Sequence, residues 1–352
     1  MNKTTVQHKD SASKNVARKS FKIRLRNIFI ILLSIIVLFL LVVNMVFKLP
    51  VRDFYSMSSR EFEFPDLGSG FIPQGVFCDS ESDNIYLTGY MNDESANPLY
   101  IIDKESLEVI KKVRLLNEDG SNHNLHTCGV AVYNKKIYIT SCDTNLYVFD
   151  PEDVQKAEDG GSVICEAIVD LSIAGDNITA STVTVHDDNL VVSEFYRKGN
   201  YDTNESHWVS DDKVSQYAYA VEMKIENNNA NIVKAYSIPS EAQGLCFDEN
   251  NVYISESYGV RFSDIESYNL DKVRYDGKRN ILGKDVDFYI MDSDSLDYSF
   301  SISPMSEEID IVGNKMFIAC ESASSKYIFG KLLGANKCYS IDMTKLKEKY
   351  GE

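Results

Sequence analysis

One unit recurs five times along this chain, and that repetition constrains the fold more than any local propensity does. Its clearest copy is residues 73 to 116, PQGVFCDSESDNIYLTGYMNDESANPLYIIDKESLEVIKKVRLL. Apolar, β-branched and aromatic residues in VFC and IYLT flank the polar turn DSESDN, which is the pattern of a hairpin. LYIID and EVIKKVRLL add a third and a fourth strand, so the unit reads as a four-strand meander. Equivalent first and second strands occur at Val76 to Thr88, Val130 to Thr140, Val183 to Ser193, Leu245 to Ser255 and Ile309 to Ala319, about 53 to 64 residues apart. A Tyr-x-x-Asp/Glu mark follows each pair: Tyr100/Asp103, Tyr147/Asp150, Tyr219/Glu222, Tyr289/Asp292 and Tyr339/Asp342.

The fourth strands settle the count. EVIKKVRLL, ICEAIVDLS, IVKAYSIPS and LDYSFSISP complete four units, but the chain ends in CYSIDMTKLKEKYGE with no fourth strand for the fifth. The missing strand is expected at the other end, where Glu61 to Leu67 (EFEFPDL) alternates apolar and polar residues just before the first unit. The fold class is therefore all-β, a five-bladed β-propeller closed by an N-terminal strand, with no open sheet edge at the seam.

Residues 1–26 are a basic, cytoplasmic tail expected to be disordered, with eight Lys and Arg against Asp10. Residues 27–47 form a transmembrane helix whose uncharged stretch, 28–47, is long enough to cross a bilayer. It is longer than the apolar part of a signal peptide, and NMVFKLPVRDF offers no small-x-small cleavage site, so a retained single-pass anchor is expected. The basic flank places the N-terminus in the cytoplasm. Residues 48–60 are a linker and 61–352 the extracytoplasmic propeller. The tail carries +7, which leaves −24 on the remainder of a chain whose net charge is −17. That acidity argues against nucleic acid as a partner and suits solubility or cationic partners.

In such a meander the connections from strand two to three, and from strand four to the next blade, share one face. The two-to-three connections are long in blades three, four and five: YRKGNYDTNESHWVSDDKVSQ, SYGVRFSDIESYNLDKVRYDGKRNILGKDVD and SASSKYIFGKLLGANK. Long connections between short strands point to function. The starts of the innermost strands lie on this face too, giving an axial ring of Gln74, His126, Ser181, Glu241, Gln243, Glu307 and Glu308 as candidate ligand-binding residues. Glycine at Gly75, Gly129 and Gly244 implies close backbone packing at a narrow axis. Glu307, Glu308 and Glu256 are the candidate metal ligands for Ca2+ or another divalent cation, with Glu194 and Glu321 at equivalent strand ends. His123 and His126 read either as ligands or as structural groups, and Trp208 beside His207 either stacks on a ligand or pins its loop. Cys128 and Cys142 are brought together by the hairpin between them, as a disulfide or as free buried thiols. No nucleophile elbow, P-loop or His-Glu-x-x-His motif is present. Asn177-Ile-Thr and Asn204-Glu-Ser are glycosylation sequons, relevant only in a eukaryotic secretory host.

PQGVFCDSESDNIYLTGY, AQGLCFDENNVYISESYG and PMSEEIDIVGNKMFIACESASSKY resemble bacterial secreted or membrane-anchored β-propeller proteins, distantly similar to NHL and SMP-30-like propellers. The resemblance spans about residues 60 to 345 and implies the propeller fold and a location outside the cytoplasmic membrane. Two functions are expected to compete. One is a binding or scaffold module that takes a protein, peptide or cell-envelope glycan on its long-loop face. The other is a metal-dependent, lactonase- or esterase-like hydrolase at the axis, with Glu307 or Glu308 as ligand or base. The short anchor-to-propeller connection is expected to turn the long-loop face away from the membrane.

Overall fold

The computed structural model describes residues 4–327 and 335–351, which fall into two compact units that part at Leu49 and Pro50. The first is a single helix, Thr4–Lys48, whose segment Arg18–Lys48 is long and apolar enough to cross a membrane. The basic tail is therefore helical from Thr4 rather than disordered. Neither Pro nor Gly interrupts it, and a nucleated helix gains one hydrogen bond for each residue it adds.

The second unit is a five-bladed propeller. Blade 1 is built of Phe71–Cys78, Asn84–Met91, Pro98–Asp103 and Val109–Leu116, from the axis outward. Blade 2 follows with Val130–Tyr133, Lys136–Thr140, Asn145–Phe149 and Ala167–Asp170, and blade 3 with Thr182–His186, Asn189–Ser193, Ala218–Glu226 and Asn229–Ile238. Blade 4 has Ala242–Phe247, Asn251–Glu256, Ser263–Asn269 and Leu296–Ile302. In blade 5, Ser306–Val312, Lys315–Cys320 and Lys337–Asp342 are completed by Ser58–Glu63 from the N-terminal side. The five first strands touch their neighbours in a closed ring, and alternate residues of each sheet bury apolar side chains between blades.

The closing strand lies three to four residues earlier than the alternation of EFEFPDL predicts. Ser58 pairs with Ile341, Arg60 with Tyr339 and Glu63 with Lys337. Pro65 lacks an N–H for a ladder, and Asp66 adopts φ 53°, so the chain turns off there. A short helix, Arg52–Met57, occupies part of the predicted linker and buries Phe54 and Met57 against the blade it closes.

Blade 4 corrects two expectations. Its third strand is Ser263–Asn269, not the segment marked by Tyr289 and Asp292. In blades 1, 2 and 5 the marked tyrosine sits opposite the third residue of the second-strand pattern: Tyr100 opposite Leu87, Tyr147 opposite Ile139 and Tyr339 opposite Ile318. In blade 4 that place, opposite Ile254, holds Glu266, and the true strand carries its own Tyr268-x-x-Asp271 two residues further on, with Tyr268 opposite Val252. Arg274–Ile281 and Lys284–Ile290 form a hairpin between strands three and four, and Tyr289 pairs with Tyr236 in a parallel extension of blade 3. Of the stretch expected as a two-to-three connection on the long-loop face, the part from Leu270 onward is thus a three-to-four connection, which leaves the sheet at the opposite end. The expected fourth strand of blade 2 also divides: Ser162–Ile164 joins blade 1 in parallel, and only Ala167–Asp170 stays in blade 2.

Candidate functional site at the propeller axis

Three of the inner strands begin with a β-bulge. In blade 1 Pro73 pairs with Gly89 and Gly75 with Thr88, which leaves Gln74 unopposed. The same shift frees Gln243 in blade 4 and the Glu307–Glu308 pair in blade 5. A bulge re-aims the extra residue's side chain, and here Gln74, Gln243 and Glu307 line a cavity of about 540 Å³ over the axis. His126 and Ser181 from the approaches to blades 2 and 3 complete the part of the ring that the sequence predicts.

The walls are aromatic. Tyr90 near the end of the second strand of blade 1, and Phe195, Tyr201, Tyr258 and Tyr327 beyond the second strands of blades 3, 4 and 5, surround the cup. Tyr90 meets His126 edge to face at 4.3 Å between centroids, and Phe195 meets Tyr201 at 5.3 Å. None of these rings figures among the predicted site residues, although an aromatic shortly after strand two in four blades was a legible signal. The Cys128–Cys142 disulfide forms, with Cα atoms 6.4 Å apart, and contributes to the wall.

At the floor Gln74 Nε2 donates to Glu321 Oε2 at 3.0 Å, and Glu307 and Glu321 hydrogen-bond to each other. Burial first, then the charge of Glu321, holds the Glu307 carboxyl well above the usual range. Burial also raises Glu321, opposed by hydrogen bonds from Tyr327, Glu307 and Gln74 and by the charge of Lys326. One carboxyl is thus kept protonated while its neighbour accepts.

The other predicted residues go elsewhere. Glu308 lies in the channel below the cup, where its carboxylate accepts the backbone N–H groups of Val76, Val130 and Val183 at 3.0, 3.2 and 3.2 Å. Three blades are thereby tied to a side chain from a fourth. A Cβ added to Gly75, Gly129 or Gly244 would come within 2.7 to 3.0 Å of Glu308 atoms, so these glycines let the blades approach it. Glu241 is held by Arg197 and Arg261. Together with Glu256 and Glu266 it lines a separate depression of about 470 Å³. Glu194, fully buried, bonds His207 Nδ1 at 2.8 Å, and His207 Nε2 meets Asp176 at 3.0 Å. His123 is buried between Asn117 and Ser141, a structural role. Trp208 packs on Tyr196 and Tyr217 and pins its loop.

Among the described residues no group of three or more His, Cys, Asp and Glu side chains is placed to share a metal ion. The candidates Glu307, Glu308 and Glu256 fall in three different places. At the floor Gln74 turns a donor toward Glu321, and the Lys326 charge stands near both carboxyls. This set fits a hard cation, which takes six to eight oxygens, poorly.

No protein-family profile matches the chain, and no curated protein matches it in sequence. Many solved structures resemble it, three of them as follows. The glutaminyl cyclase of Myxococcus xanthus is 10% identical, with 81% of this chain and 94% of that one covered at a TM-score of 0.43. A luciferin-regenerating enzyme is 10% identical, with 81% and 95% covered at a TM-score of 0.42. A tail fibre of a Staphylococcus aureus phage is 13% identical, with 83% and 54% covered at a TM-score of 0.45. At these values the likenesses carry no argument about chemistry.

Proposed function

We propose that this protein is a single-pass, membrane-anchored propeller, its N-terminus cytoplasmic and its propeller outside, that binds a small or narrow ligand in the axial cup. The ligand is a peptide, protein segment or cell-envelope glycan. One observation carries this reading: the cup has apolar aromatic walls and a small set of convergent polar groups, Gln74, Gln243, Glu307 and Glu321, at its floor. That division of labour is the usual composition of a ligand site. The anchor rests on the apolar helix and its basic flank, and the Cys128–Cys142 disulfide suits an oxidising compartment.

The test is photocrosslinking in the native membrane, with p-benzoylphenylalanine in place of exposed Tyr201 at the cup or of exposed Asn228 on the opposite face. Adducts are expected at the first site and not at the second. Adducts at neither site, or equally at both, would remove the basis for a cup ligand.

A second reading, a hydrolase at the axis, is favoured by the Glu307–Glu321 pair, since a protonated and an accepting carboxyl side by side can serve as acid and base. On that reading Glu307→Gln abolishes turnover of a cup ligand while leaving it bound. No step through a metal is derived.

A further inference from the structure

The cup already holds a cation of the chain's own. Lys326, on the connection between strands two and three of blade 5, places its Nζ 5.0 Å from the centroid of the Tyr90 ring and 5.1 Å from that of Tyr327. It donates to the Tyr90 hydroxyl, and its charge acts on the Glu307 and Glu321 carboxyls behind. Aromatic faces and carboxyl oxygens together are the surroundings in which an ammonium group is best stabilised away from water. Lys326 is nonetheless exposed and lines the cup rather than closing it. Arg197, which lies over Tyr258 at 3.6 Å, is by contrast tied down by an ion pair with Glu241. Among the described residues that line the cup, Lys326 is the one Lys or Arg, and no described carboxylate pairs with it as Glu241 does with Arg197.

We infer that the cup recognises a primary alkylammonium group, and that Lys326 occupies that position as a tethered competitor which the ligand displaces. The inference rests on the cup being the binding site. A four-carbon stem ending in an ammonium is what sits there now, so a lysine-like side chain fits the position by shape as well as charge. Displacement also makes the affinity tunable: a site self-occupied most of the time binds outside ligand more weakly by the fraction that is free.

The experiment is calorimetric titration of the full-length chain in detergent micelles with n-butylammonium, butyrate and n-butanol. Nα-acetyl-lysine amide and glycylglycinamide form two further arms, which separate a side-chain ammonium from a chain terminus. Lys326→Ala is expected to bind n-butylammonium about tenfold more tightly than the unaltered chain, if the tethered group fills the position roughly nine-tenths of the time. Lys326→Arg keeps a competitor and should stay near the unaltered value, and Glu321→Gln should lose the gain. No gain on Lys326→Ala, or butyrate binding that Lys326→Ala abolishes, would make Lys326 an anion contact or a bystander and overturn the inference. Crosslinked adducts at Tyr201 without that gain would overturn only the ammonium assignment. Neither adducts nor binding of any probe would remove the cup as a site altogether.

Discussion

Glu308 shows how much one side chain can decide at a propeller axis. Its carboxylate is buried and receives three backbone N–H groups from three blades. Glu308→Ala leaves those donors without an acceptor, and at about 1 to 3 kcal/mol for each buried unsatisfied group the expected loss is at least about 3 kcal/mol. Glu308→Gln keeps the shape but turns an amide donor toward one of the N–H groups, so a smaller loss is expected. Chemical denaturation of the three proteins measures both, and an unchanged midpoint for the alanine variant would show that water or relaxation replaces the carboxylate. Its neighbour Glu307 has a different fate, in the cup. Adjacent strand residues face opposite ways, so the sequence could bring both acids to the axis but could not assign them until the bulge set the register. Glu194, Glu256 and Glu321 make the same point: they directly follow or end equivalent second strands, yet they meet His207, the Glu266 region and the cup respectively.

At the scale of elements the closing strand is the most exposed to test. Phe54, Met57 and Phe62 from the segment before blade 1 are buried in the core of blade 5 and its neighbours. At about 1.5 to 3 kcal/mol each, they supply a large part of the roughly 5 to 15 kcal/mol that holds a domain together. Deleting residues 50–63 also uncovers the edge of Lys337–Asp342. The expected outcome is loss of a single cooperative thermal transition and self-association through that edge, with partial rescue by a peptide of residues 50–63. An unaltered transition would mean that the four remaining blades and the open fifth are sufficient. The need for this strand was legible by counting, whereas its start at Ser58 was not, because strand pairing can extend into polar sequence once an edge is offered. Blade 4 offers the Tyr-x-x-Asp mark twice. Its third strand carries Tyr268, with Asp271 just past its end, shifted so that Glu266 takes the usual tyrosine place, and the inserted hairpin carries Tyr289, with Asp292 just past it.

For the whole molecule the buried acids set a pH profile. Burial raises Asp310 to about 7 and Glu256 to about 8, and it also raises Glu307 and Glu321. Burial alone would lower His207, but Glu194 and Asp176 on either side outweigh it and leave it raised. Each of these groups binds its proton more tightly folded than unfolded. Their contribution is complete below the unfolded values and is lost as pH climbs through the folded ones. Acids held low, such as Asp66 by its hydrogen bond to Lys112, work the other way and lose their contribution below about pH 4. The melting temperature is therefore expected to peak at about pH 5 and to decline toward about pH 8. Melting curves in a buffer series check this, and a temperature that is flat or rising over that interval would contradict it.

The sequence by itself determined the propeller, its five blades, its closure from the N-terminal side, the long apolar helix and the face on which the ring residues gather. Each of these follows from a periodic pattern, and a pattern repeated five times survives local exceptions. Only the tertiary structure decided which ring residues share the cup, that Glu308 is a tie between blades, that aromatic rings form the walls, and that Lys326 stands among them. These depend on short bulges and on side chains that meet from different blades, as Gln74 and Glu321 do across 247 positions of sequence. Neither leaves a local trace in composition or spacing, because the free energy that selects them comes from burial and hydrogen bonding between blades, not within a strand.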